Sequence, residues 1–305
     1  MTHLERAALL NIVAETPARL KAAVKGVPKK LLLQTPGPGK WSIVEIVAHM
    51  RDMERDAYLA RYHRILTEDN PILPDIDGDV LAIRSDYRGM NLSELMRDWL
   101  KLRKECLRLL KSVKGARWER SGTHETAGPL SMDTLLRRHA MGNDEAHLAQ
   151  IGDIKMRAAL FEALESSPRK LSDLTKKLDD ALLRKKPAPD RWSALEVICH
   201  LRDVERLWAD RLVKTAFSDR PLFSILDVND LAARNRYNEQ NPAAALKEFA
   251  RLREDNLRLL RVLPASQWNR VGLHPKYGEM TIHRIVEIIT GHDRGHFEQI
   301  GKAVA

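Results

Sequence analysis

The sequence predicts an all-α protein built as two tandem four-helix bundles from an internal duplication. Three observations carry this. First, the block Trp41 to Glu54 recurs as Trp192 to Glu205 at an offset of 151, with seven of fourteen positions identical and mostly apolar-for-apolar exchanges elsewhere. Second, the match runs the length of the chain. Arg6–Leu9 pairs with Arg157–Leu160 at the same offset, and Leu107–Leu110 with Leu257–Leu260 at 150. Gly142, Asp144, His147 and Gln150 pair with Gly291, Asp293, His296 and Gln299 at 149. The drift amounts to two single-residue deletions in the second copy. Third, apolar residues within each copy recur at helical spacing, as at 43, 46, 47, 50 and 53. A period of roughly 150 residues is too long for a solenoid, whose units run about 20–50. It means two homologous domains, 1–153 and 154–305, joined near Asp153 to Lys155.

The elements follow in order. Thr16-Pro17 and Ser167-Pro168 read as an N-cap followed by proline in the first turn of helix one. Ser42 with Glu45, and Ser193 with Glu196, have the capping-box spacing that opens helix two. Trp41 and Trp192 precede it as packing residues. Residues 68–90 carry Pro71, Pro74, Gly78 and Gly89 and read as a long loop. Asn91 and Asn241-Pro242 open helix three, whose apolar face includes Leu95, Trp99, Leu102 and Cys106. Residues 115–130, with Gly115, Gly122, Gly128 and Pro129, read as a second loop. Ser131 or Thr281 then opens helix four. No strand-like alternation persists, so four helices per copy pack as a bundle.

Composition narrows the function. Among 305 residues, 51 are Lys or Arg and 42 are Asp or Glu, a formal net charge of +9. The clearest basic stripe is Lys101, Lys104, Arg108 and Lys111. It lies at helical spacing opposite an apolar face, which reads as a solvated helix surface. No aromatics interleave it as a single-strand stacking platform requires, so no nucleic-acid partner is expected. Two cysteines, Cys106 and Cys199, exclude a disulfide scaffold and a Cys-based zinc module. Cys199 reads as core. No apolar run reaches the roughly 18 residues of a membrane span, and the first residues lack a signal-peptide pattern. The expectation is a cytoplasmic protein without a membrane partner. Pro36 to Ser42 lacks the spacing of a phosphate loop, and HExxH, CxxC and GxSxG are absent from the sequence.

The histidines are where chemistry can sit. His292 and His296 stand at i and i+4, on one helix face with Cβ atoms about 5–6 Å apart. His200, amid apolar residues on helix two, needs a polar partner. Together the three could hold one metal ion with positions left open for water or substrate. Imidazole suits zinc, nickel, copper or iron, so residue type does not choose among them. In copy one His49 and His147 recur, but Asn143 replaces the third histidine, so metal binding there should be weak or absent. His139 reads as a surface histidine or a substitute ligand. Glu196 either orients an imidazole or simply closes its capping box. Asp203 is either a general base acting through water or a carboxylate paired with arginine. His274, in a Gly-x-His-Pro loop, could overhang the site.

These motifs resemble the DinB/YfiT-like superfamily: Trp192 to Glu205 on helix two, Gly272 to Thr281 in the loop, and Gly291 to Ile300 on helix four. Copy one shows the pattern with lapses at Asn143 and Glu125 to Ala127. The resemblance covers nearly the whole chain. It implies up-down-down-up bundles and a divalent metal, commonly zinc or nickel, held by His200, His292 and His296. It also implies that a tandem pair could imitate the family's dimers as an intramolecular pseudo-dimer. Two functions are expected from it. One is a metal-dependent enzyme acting on a small-molecule substrate, either a hydrolase or an S-transferase using a low-molecular-weight thiol. The other is a non-enzymatic ligand- or protein-binding stress-response module, with a structural metal or none.

Overall fold

A computed structural model describes residues 1–37 and 39–303. The chain divides into two units, Met1–Met156 and Arg157–Ala305. The division falls inside the helix Ala146–Thr175, close to the expected join. Each unit is an up-down-down-up four-helix bundle. The long connection between its second and third helices returns the chain so that the two run parallel, as this order requires.

In the first unit the helices are His3–Val24, residues 43–67, Leu92–Ser112, and a fourth that starts at Met132. In the second they are the later part of Ala146–Thr175, then Ala194–Phe217, Pro242–Val262 and Ile282–Ala303. The expected caps form. Ser42 with Glu45 and Ser193 with Glu196 close reciprocal capping boxes. Asn91, Asn241, Ser131 and Thr281 accept first-turn N–H groups of their helices. The basic stripe is exposed, and both cysteines are buried.

The start of the first helix differs from the sequence expectation. It is Thr2, in a capping box with Glu5, and Pro17 lies well inside His3–Val24. Pro168 likewise lies inside Ala146–Thr175. A proline removes one N–H and so frees the carbonyl four residues earlier. Here those carbonyls are used. Val13 O accepts from Arg103 Nη1 at 3.0 Å, and Leu164 O from Arg253 Nη1 at 3.4 Å. The Thr-Pro and Ser-Pro pairs, which look like helix starts, are notches that admit a buried guanidinium.

Each arginine anchors an ionic cluster in its bundle. Arg103 pairs with Glu54 and Asp144, each at 2.6 Å; Arg253 pairs with Glu205 at 2.7 Å and Asp293 at 2.8 Å. All six side chains are buried. On the third helix of the first unit, Trp99 and Cys106 flank Arg103 and belong to two separate apolar clusters. Phe249 and Leu257 flank Arg253 in the same way. A charged layer therefore divides each core. Burying it is costly unless every charge is matched, and four different elements supply the matching groups.

The two changes of offset have a structural meaning. In the first unit the second helix runs α over Ile43–Asp52, π over Met53–Leu59 and α again over Ala60–Thr67. The fourth helix contains a π stretch over Arg138–Glu145. The corresponding helices of the second unit are α throughout. A π turn absorbs one extra residue without re-registering the rest of a helix. The extra residues turn Tyr58 and His139 inward, where their rings stack 4.1 Å apart. His139 is fully buried, 3.0 Å from Glu54, and not on the surface.

The loop expected at 115–130 contains a hairpin, Ser121–His124 with Gly128–Ser131; its counterpart is Val271–His274 with Gly278–Thr281. Four-residue strands are too short to show alternation. Gly128 and Gly278, both at φ 71°, supply the left-handed turn position. Ile72–Leu73 adds a parallel strand in the first unit, and Leu222 bridges Leu273 in the second. Among the described residues, no helix is long and apolar enough to cross a membrane.

Candidate metal centre

His200 lies two turns into its helix, placed by the Ser193 cap and packed against the Trp192 ring at 4.9 Å. His292 and His296 come from the middle of Ile282–Ala303. The three meet at their Nε2 atoms, with His292 to His200 at 3.1 Å and His292 to His296 at 3.2 Å. Bonds of about 2.0–2.1 Å to one ion place ligand nitrogens about 2.9–3.4 Å apart, for right-angled to tetrahedral geometry. The spacing fits.

The donor chemistry fits as well. Gln299 Oε1 faces His296 Nδ1 at 2.8 Å, so that nitrogen donates and the lone pair stays on Nε2. A proton on His292 Nε2 serves one neighbour well, whereas a cation at the centre serves all three. Burial first, then the His296 and His292 imidazoles, pull His200 down to about 3. Burial and His296 hold His292 at about 4. Burial lowers His296 too. The set is thus neutral at ordinary pH, which is the form that binds metal. Among the described residues this is the one group of three or more metal-type ligands that converge.

In the first unit His49 and His147 also come together, with ring centroids 4.8 Å apart. His147 faces Gln150 as His296 faces Gln299. The third position fails: Asn143 is buried and donates to Asp144. Gly78 closes over the other side. A Cβ there would stand 2.6 Å from His49 Cε1 and 2.9 Å from Nδ1. The second unit has Val228 at the matching point of its chain.

The two carboxylates expected near the site spend their oxygens elsewhere. Glu196 accepts from the Ser193 N–H at 2.8 Å and pairs with Lys186 at 2.9 Å. Asp203 Oδ1 pairs with Arg202 and Arg206, each at 2.7 Å, and Oδ2 accepts from Tyr237 Oη at 2.8 Å and from Asn235. Burial pushes the Asp203 carboxyl up, but Arg202 and Tyr237 outweigh it and lower it. These contacts match the capping and arginine-paired readings. His274 does not overhang the histidines. Its hairpin packs near Thr215, about four turns along the helix from His200. Sequence reasoning missed Arg253, Glu205 and Asp293, whose layer adjoins the site through the Asp293–His292 peptide. Ser167 donates to Asp293 as well. The recurrence of Glu54 and Asp144 at matching positions was the available signal.

The model for the DinB superfamily matches residues 12–151 and, separately, 163–300. YuaE, an uncharacterized protein of Bacillus subtilis, is 25% identical over 138 residues, which is 41% of this chain and 85% of that protein. An Oceanobacillus iheyensis protein named "Putative metal-dependent hydrolase" is 25% identical over 147 residues, 47% of this chain and 81% of its own length. Among solved structures, YfiT from Bacillus subtilis, described as a probable metal-dependent hydrolase with an unusual four-helix bundle topology, covers 48% of this chain. The alignment takes in 84% of that chain, at 20% identity and a TM-score of 0.46.

Proposed function

The chain belongs to the DinB superfamily, and from that premise we propose that its second domain is a metal-dependent enzyme acting on a small molecule, with the metal held by His200, His292 and His296. The observation that carries the reading is the convergence of three histidines, with His292 Nε2 at 3.1 and 3.2 Å from the Nε2 atoms of the other two and one tautomer set by Gln299. A divalent ion there, zinc or nickel as the family resemblance implies, would supply Lewis acidity toward a water or a thiol. The name of the Oceanobacillus iheyensis relative favours hydrolysis over thiol transfer. The chain offers no thiol of its own to the site, since Cys199 is buried and its thiol is pushed up to about 11 by burial. An S-transferase would draw its thiol from solution.

The protein's own groups orient and exclude. Trp192 packs on His200, and Trp208 stands 6.1 Å from the His292 ring, so apolar walls limit water around the nitrogens. The first domain, with Asn143 and the Gly78 closure, acts as a metal-free partner. Metal content of the untagged protein tests the reading. About one divalent ion per chain is expected, lost in His292→Ala and kept in His49→Ala. An unchanged content in His292→Ala would overturn it.

A further inference from the structure

Away from the histidines, both domains bury an arginine at one place on the second helix. Arg61 and Arg211 are 8% and 5% exposed. Each donates from Nη2 to a carbonyl thirteen residues on, Pro74 O at 2.7 Å and Ser224 O at 3.2 Å. In both, Nε is buried without a partner. Each domain also sets a histidine in the hairpin beside this arginine. His274 Nδ1 accepts from the N–H groups of Lys276 and Tyr277, at 3.1 and 3.3 Å. His124 Nδ1 accepts those of Thr126 and Ala127. That leaves the ring proton on Nε2, pointing away from the turn.

The domains then diverge. In the first, the residue after the accepting carbonyl is Asp75. Its carboxylate lies 3.7 Å from His124 Nε2 and offsets part of the burial penalty on Arg61. In the second, the matching residue is Ile225, 69% exposed. Glu125 and Thr126 become Pro275 and Lys276, so with Asp75 two acids are lost and a base is gained, while the acid the hairpin gains, Glu279 for Pro129, is paired with Arg220. Among the described residues, no carboxylate stands within ion-pair distance of Arg211 or His274. The acid that does bear on Arg211, Asp210, is paired with Lys214 at 2.8 Å. Arg211 lies over the Trp208 ring at 4.9 Å and the Phe223 ring at 5.4 Å, faces that favour a cation without neutralising it, while its burial penalises the charge.

We propose that Arg211 and His274 form a binding site for a small carboxylate-bearing molecule, occupying the place that Asp75 fills in the first domain. The guanidinium takes the carboxylate, His274 Nε2 donates to one of its oxygens, and Lys276 adds charge at the rim. Trp208 lies between this site and His292. The inference does not rest on the metal-dependent reading.

Malonate is a suitable probe, titrated calorimetrically into the full chain at low salt. Saturable binding is expected in the wild type, and equally in His292→Ala, which separates it from any malonate held by metal. Ile225→Asp, which installs the arrangement the first domain already tolerates, should weaken it about tenfold or more, with thermal stability held or raised. His274→Gln should weaken it several-fold. Absence of saturable binding in the wild type, loss of binding in His292→Ala, or unchanged affinity in Ile225→Asp would each overturn the proposal.

Discussion

At the scale of single residues, the proposed metal centre depends on what fixes each imidazole. Gln299 contributes no ligand, yet it decides which nitrogen of His296 carries the lone pair. Loss of such a partner typically lowers metal affinity 10–100-fold. Gln299→Ala should show this for zinc in a chelator competition, while Gln150→Ala, its first-domain counterpart, should leave the affinity unchanged. The buried carboxylates obey a different balance. Burial alone would push Glu54 up, but the charges of His139 and Arg103 outweigh it and hold it at about 2. The folded value is below the unfolded one. Its stabilisation is therefore complete above about pH 4.5 and is lost as the pH falls toward 2. At neutral pH, Glu54→Gln should cost about 3–5 kcal/mol in the first domain, because it leaves Arg103 under-matched. In urea unfolding, the gap between wild type and variant should narrow as the pH drops from 5 to 3; a constant gap would contradict the ionic account.

At the scale of elements, the two domains differ by where a helix carries an extra residue. The π stretch Met53–Leu59 confines one such residue between Glu54, which binds Arg103, and Arg61, which binds Pro74 O. Deleting the exposed Arg55 should therefore convert the stretch to the all-α form of the second domain with a modest loss in urea midpoint. Deleting the exposed Lys104 from the regular helix Leu92–Ser112 should rotate Cys106 and Leu110 off the core and cost far more. Equal losses would contradict the idea that the π turn absorbs the insertion. The helix starts at Ser42, Asn91, Ser131, Ser193, Asn241 and Thr281 were readable because a cap is a local signal. Pro17 and Pro168 misled for the same reason. A Thr-Pro pair is a sound local signal for a helix start, and only the third-helix arginine that takes the freed carbonyl reveals it as an interior notch.

At the scale of the whole molecule, the tandem arrangement and the three converging histidines were legible because duplication supplies an internal comparison. His200, His292 and His296 stand out where Asn143 breaks the set in the other copy. The ionic layer was not legible. Its groups come from four elements, and no one of them carries a distinctive local pattern. The hairpins were too short to announce themselves, and the closure of Gly78 on His49 is a matter of tertiary approach. The central claim is that a fold present twice holds metal once. Crystals soaked in zinc and measured at its absorption edge test this most directly. One anomalous peak is expected, within about 2.0–2.1 Å of the three Nε2 atoms of His200, His292 and His296, with none between His49 and His147. A map without that peak, or with an equal peak at His49 and His147, would contradict the account.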